Sequence, residues 1–166
     1  MKGIEIKMIE PSDVTQVWVD WMADEVVTEY SDNGYESFSL DGQRQYVESL
    51  LLDDNRYLYG IFADGKHIGN VSLGPIDKYH KRAEITYMLG EKDYWGRGIT
   101  SFAVGQVIDI AKKQFNIKKL YAGCASLNEG SKKVLIKNGF VLEGTRKDHL
   151  FYKSEFMDQL DYGLLL

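Results

Sequence analysis

The chain has 166 residues, enough for one domain that buries roughly 70% of the surface exposed by its unfolded form. Apolar residues make up 44% and there are only two prolines, which excludes a long disordered tract, and no apolar run approaches the ~20 residues that cross a bilayer. The net charge of −5, with Lys and Arg dispersed, argues against nucleic acid as a partner, because clustered cations supply most of that affinity.

In chain order, Ile4 to Ile9 alternates as a short strand, and Pro11-Ser12-Asp13 announces a helix in which Asp13 and Gln16 are spaced as a capping box. Val14, Val17, Trp18, Trp21 and Met22 then fall on one helical face. An acidic, aromatic stretch from Asp24 to Leu40 precedes a second helix marked by Tyr46, Val47, Leu50 and Leu51. Arg56 to Ala63 and Lys66 to Leu73 are strands joined by Asp64-Gly65, a dipeptide suited to a two-residue hairpin. Arg82 to Leu89 is the next strand. A long helix from Ile99 to Phe115 follows, with Ile99, Phe102, Ala103, Val107, Ile110 and Ala111 on one side and Lys112 and Lys113 at its negative end. Lys119 to Ala125 is a strand, Ser126 and Glu129 are spaced as the capping box of a helix that Gly139 closes, and Phe140 to Glu143 and Phe156 to Leu166 are the last strands. The predicted order is β-α-α-β-β-β-α-β-α-β-β.

The junction Tyr94-Trp-Gly-Arg-Gly-Ile-Thr100 lies between a strand and the longest helix. Without Cβ atoms at Gly96 and Gly98, the N–H groups of Gly96, Arg97 and Gly98 can converge on a phosphate, and the helix adds its own free N–H groups and dipole. A plain tight turn explains the same two glycines. A dinucleotide fingerprint would need Gly or Ala where Ser101 stands and an acidic strand end where Lys118 to Tyr121 lies, and the Gly-Lys-Ser/Thr of a phosphate loop is missing.

Cys124 is the only cysteine, which leaves no internal disulfide or cysteine-rich zinc site, and its apolar strand suggests a packing role. His67, His80 and His149 lack metal-ligand spacing, so no metal is expected. Met1 to Glu10 mixes charged and apolar residues with no signal-like core, so the cytoplasm is expected, with no membrane partner.

The segment Arg82 to Phe140 resembles the Gcn5-related N-acetyltransferase (GNAT) superfamily, in particular its RimJ/RimL-like branch. Four features carry the resemblance: Arg82-Ala-Glu-Ile-Thr-Tyr-Met-Leu-Gly90, the Tyr94–Thr100 turn, Asn128 with Ser131, and Lys137-Asn-Gly-Phe140 followed by Glu143-Gly144. It implies an α/β fold over a single domain, residues 1–166: a mixed, mostly antiparallel twisted sheet of about seven strands, splayed between the fourth and fifth, with four helices on its two faces. It also implies acetyl-CoA as cosubstrate, held by Met88, Leu89, Trp95, Gly96, Arg97, Gly98, Ile99, Thr100, Asn128 and Ser131, and it is compatible with a homodimer. Asp93 stands where the motif has Gln or Arg, and a carboxylate there should face solvent.

The implied reaction is direct attack of a primary amine on a thioester, which needs a neutral amine, oxyanion stabilisation and a proton for the thiolate. Glu84 is the candidate base, and a solvated strand carboxylate is its alternative. Many relatives carry a tyrosine seven residues after the motif asparagine; here that position is Leu135, and Ser131 is the candidate partner of the sulfur, with Tyr152 or a water as alternatives. Lys132, Lys133 and Lys137 are either phosphate ligands or solvated helix lysines. Glu29, Tyr30, Asp32 and Tyr35, with Glu84, are the candidate acceptor-binding residues, since carboxylates beside aromatics suit a cationic amine. Protein N-termini, polyamines or other small amines, and nucleotide-linked amino sugars remain open as acceptors, beside a catalytically silent acetyl-CoA-binding module.

Overall fold

The computed structural model describes residues 1–166, apart from the side chain of Tyr35. Seven strands form one sheet: β1 (Ile4–Met8), β2 (Tyr57–Ala63), β3 (Lys66–Asp77), β4 (Arg82–Leu89), β5 (Lys119–Ala125), β6 (Val141–Tyr152) and β7 (Glu155–Leu165), in the spatial order β1-β2-β3-β4-β5-β7-β6. Four α-helices accompany them: α1 (Gln16–Ala23), α2 (Leu40–Leu51), α3 (Ile99–Phe115) and α4 (Glu129–Lys137). The order and the mixed sheet match the expectation from sequence.

Every neighbouring pair is antiparallel except β4 and β5, which α3 connects as a parallel crossover. That pairing covers only Arg82↔Lys119, Ala83↔Leu120 and Glu84↔Tyr121. Beyond it β4 stays paired with β3, and β5 with β7, while the two strands part from one another. Each therefore turns one edge with unpaired backbone groups toward a common gap, the expected splay.

Alternation along β4 divides the core. Ala83 and Ile85 are buried in a cluster with Ala103, Val104, Val107 and Ala111 of α3 and Leu135 of α4, and Tyr87 and Leu89 pack against it. Met88 points the other way, against a second cluster of Trp18, Trp21 and Met22 of α1 and Val47 of α2. Glu84 and Thr86 share that second face, because side chains alternate along a strand.

Several local expectations are corrected. Asp13 does not cap α1: it ends a 3-10 turn, Pro11–Asp13, where its carboxylate accepts from the Glu10 N–H at 3.0 Å and from Lys7 Nζ at 2.9 Å. α4 is capped by Asn128 and not by Ser126, since Asn128 Oδ1 accepts the Ser131 N–H at 2.9 Å. β6 continues well past Glu143, to Tyr152, as the outer strand of the sheet; its mostly exposed residues give it no alternating signature. Val17, Tyr46 and Leu51 are exposed, while Val104, absent from the predicted face of α3, is fully buried.

Candidate active site

The turn between β4 and α3 is shaped by two left-handed glycines, Gly96 at φ 72° and Gly98 at φ 75°. Gly98 is the N-cap of α3, a place where a side chain would be strained. Trp95 donates its indole N–H to the Leu89 carbonyl at 2.7 Å and so ties the turn to the end of β4. A cation joins the free N–H groups of the helix: a Cβ built on Gly98 would lie 3.6 Å from Lys137 Nζ, and no ion pair forms at Lys137 among the described residues. Positive charge, a helix N-terminus and open backbone converge there, the requirements of an anion site. Asp93 is exposed, as its charge requires.

This turn opens on a cleft of about 1420 Å³ that runs through the gap between β4 and β5. Met88, Leu89, Trp95, Gly96, Gly98, Ile99, Thr100, Asn128 and Ser131 line it, and so do Glu84, Glu29, Tyr30 and Asp32. Residues expected to hold the cosubstrate and residues expected to hold the acceptor thus share one space. Arg97 is the exception. Its side chain is exposed and its guanidinium lies 5.3 Å from the centre of the Tyr94 ring, so only its backbone belongs to the turn. The side chain of Tyr35 lies outside the described residues.

Glu84 is half-buried on the cleft wall, and no hydrogen bond or ion pair satisfies its carboxylate among the described residues. Burial alone raises its pKa above the ordinary 4.5. A carboxylate moved in that direction binds a proton more readily, which suits a base.

On the opposite face of β4, Tyr87 Oη lies 3.1 Å from the Ser131 carbonyl oxygen and 2.8 Å from Ser131 Oγ. The carbonyl only accepts, while either hydroxyl can donate across the 2.8 Å contact; when Tyr87 donates to Ser131 Oγ, the serine keeps its own proton to donate into the cleft. Burial pushes the Tyr87 phenol well above its usual 10.0, against a smaller opposing effect of Ser131, so it stays protonated. Tyr87 is a site residue that the sequence reading missed; its partner is 44 residues away. Cys124 also lines the cleft, and burial raises its thiol, which disfavours a nucleophilic thiolate.

The acidic segment between α1 and α2 is tied to the β6–β7 turn. Lys153 Nζ reaches Glu29 Oε1 at 2.8 Å, Tyr152 donates to Asp32 Oδ1 at 3.2 Å, and the Tyr30 and Tyr152 rings meet edge to face at 6.4 Å. Two of the expected acceptor-site carboxylates are therefore already engaged within the chain. Tyr152, an alternative partner for the sulfur, is committed on this side. No group of three His, Cys, Asp or Glu among the described residues is placed to hold a metal ion, and no helix is long and apolar enough to cross a membrane.

The family model described as an acetyltransferase (GNAT) domain matches residues 4–141. The ribosomal-protein-serine acetyltransferase of Escherichia coli is 32% identical over 128 residues, covering 76% of this chain and 71% of the relative. The spermidine N(1)-acetyltransferase of the same species is 26% identical over 110 residues, 66% of this chain and 59% of the relative. Among solved structures, RimL, a ribosomal L7/L12 alpha-N-protein acetyltransferase in complex with coenzyme A, superposes with a TM-score of 0.89 at 22% identity over 100% of this chain and 96% of RimL, a likeness of fold. With this family match over most of its length, the chain belongs to the GNAT family and is an N-acetyltransferase.

Proposed function

We propose that the chain transfers the acetyl group of acetyl-CoA to a primary amine by direct attack within a ternary complex, the acceptor being a protein N-terminus or a small amine. The observation that carries this reading is the shared cleft: an anion-binding turn at one end, an unpartnered half-buried carboxylate at the other, and unpaired strand edges between them.

The residues fit acetyl-CoA part by part. The N–H groups around Gly96–Thr100 and the Lys137 ammonium suit its phosphates. The open edge of β4 past Glu84 offers backbone donors and acceptors to an extended, amide-bearing arm, as a sheet edge does to an added strand. Asn128 Oδ1 is occupied by the Ser131 N–H, which leaves the Asn128 amide N–H₂ for that arm. When bound, acetyl-CoA supplies the activated acyl group.

Glu84 accepts a proton from the acceptor ammonium, directly or through water, so that the nitrogen lone pair is free to attack. A backbone N–H near Met88 or Leu89 stabilises the oxyanion. As the C–S bond breaks, the Ser131 hydroxyl donates a hydrogen bond to the sulfur and Tyr87 supports the serine. Burial raises the Tyr87 phenol above its usual 10.0 and so disfavours loss of its proton to the departing thiolate; the proton that ends on sulfur derives from the attacking amine through solvent.

The test is release of free CoA thiol from acetyl-CoA with a panel of N-terminal peptides, polyamines, amino acids and nucleotide-linked amino sugars. Turnover with one group names the acceptor. Silence with all of them, while acetyl-CoA still raises the melting temperature, would favour a binding module over an enzyme of this panel.

A further inference from the structure

Two buried polar side chains that the steps above do not use line the cleft, Gln43 of α2 and Asn70 of β3. Asn70 of β3 is 7% exposed, lines the cleft and stands in register opposite Met88 of β4. Ser72 stands opposite Thr86 in the same way. Directly opposed residues of an antiparallel pair share a face, so Asn70 lies on the face that carries Met88, Thr86 and Glu84.

Three groups in series fix how Asn70 is turned. His67 Nε2 lies 3.0 Å from the Gly69 carbonyl oxygen and 2.9 Å from Asn70 Oδ1. A carbonyl oxygen only accepts, so Nε2 carries the proton and shares it between the two oxygens. The reversed amide would set two donors against each other. Asn70 therefore keeps its oxygen on the imidazole and leaves Nδ2 for the cleft. Among the described residues Nδ2 has no hydrogen-bond partner, and the only side-chain polar atom both buried and unpartnered is His67 Nδ1, so Nδ2 has access to the cleft.

The imidazole is itself held by rings. Trp18 and Trp21 of α1 meet it edge-on at 5.5 Å and 5.1 Å, and Phe62 of β2 stacks on it at 5.1 Å. A donor locked this way recognises an oxygen and gains nothing from a bare ammonium, which has donors only. Glu84 lies four residues from Met88 along β4, about 13 Å away at ~3.3 Å per residue, so the carboxylate and the Asn70 amide bracket the region where the amine must sit.

We propose that Asn70, positioned by His67, selects the acceptor by donating Nδ2–H to the first carbonyl oxygen of a peptide amino terminus, and so disfavours polyamines, which carry no oxygen. The proposal rests on the acetyl-transfer reading. Losing a hydrogen bond at a site built to make one costs an acceptor about tenfold or more in kcat/KM.

The experiment compares a short peptide with its analogue in which the first carbonyl is a methylene, and with spermidine. Wild type should favour the carbonyl-bearing peptide about tenfold or more, and Asn70→Ala should bring the ratio close to one. Asn70→Asp, which keeps the shape and still accepts from His67 but has no N–H, should do the same and serves if the alanine variant does not fold. His67→Phe, which keeps a ring and removes the N–H, should lower the ratio part of the way. An unaltered ratio in both Asn70 variants, an equal loss with both acceptors, or a wild-type preference for spermidine overturns the role of Asn70 alone. Silence of the wild type with these acceptors overturns this proposal, and acetyl transfer itself falls if the wider amine panel is silent as well.

Discussion

The Tyr87 hydroxyl sits 2.8 Å from Ser131 Oγ, which joins the strand that carries the candidate base to the first turn of α4. The two residues lie on the side of the sheet away from Glu84, so the proposed functions of proton acceptance and thiolate stabilisation are separated by the strand itself. Ser131→Ala should lower kcat about a hundredfold with little change in the acetyl-CoA KM, and Tyr87→Phe should lower it less, about tenfold. Steady-state kinetics of the two variants and their double mutant check this; if the double mutant loses the product of the single losses, the residues act separately.

Glu84 makes two linked predictions with opposite signs. Its folded-state pKa is raised above the ordinary 4.5, so activity should fall as pH drops through that raised pKa, and Glu84→Gln should remove that limb and about a hundredfold of kcat/KM at neutral pH. For stability, a raised folded pKa gives a contribution that is full below the unfolded value and lost as pH rises through the folded one. The melting temperature of Glu84→Gln should therefore gain on wild type as pH rises from 4 toward neutral, roughly the window of a raised carboxylate. A pH–rate profile and thermal melts measure both.

The phosphate end is tested at Gly98 and Lys137. Gly98→Val places a branched residue at φ 75°, which should cost about 1–2 kcal/mol of stability as well as raising the acetyl-CoA KM. Lys137→Ala should raise that KM several-fold without a comparable loss of stability, and the difference should shrink as salt is added. Denaturant titration and kinetics at two ionic strengths separate the two effects.

His67 titrates below its ordinary 6.5, because burial outweighs the bonds to Asn70 and Gly69 and the charge of Asp13, and Lys7 lowers it further. A depressed folded pKa means that stability is full above the unfolded value and declines as pH falls from about 6.5 through the folded value. His67→Phe should flatten that decline. Nitrogen NMR of the imidazole should show the Nε2–H tautomer, neutral at pH values where an exposed histidine is charged.

How much of this could be read from sequence depended on the range of the signal. α3 runs from Ile99 to Phe115 as expected because left-handed residues, Gly98 and Asn116, bracket it. Asp64-Gly65 made its hairpin because both residues take positive φ. The fourth and fifth strands and the residues of the turn were legible for the same local reason. The caps of α1 and α4 were misplaced because Asp13 closes a turn onto the Glu10 N–H, and because Asn128, not Ser126, accepts the Ser131 N–H. Tyr87 with Ser131, and Lys137 beside Gly98, needed the fold to bring them together. The His67–Asn70 pair is close in sequence, but the Gly69 carbonyl that orients it and the cage of Trp18, Trp21 and Phe62 that holds it appear only in the fold.

Direct attack on acetyl-CoA in a ternary complex is tested most directly by intact-mass analysis in a single turnover. With acetyl-CoA alone the protein mass should stay unchanged and the thioester intact; adding a competent amine should release CoA and acetylated amine in equal amounts. A stable acetylated enzyme formed before the amine arrives, with the label on Cys124, would contradict it and require a two-step transfer.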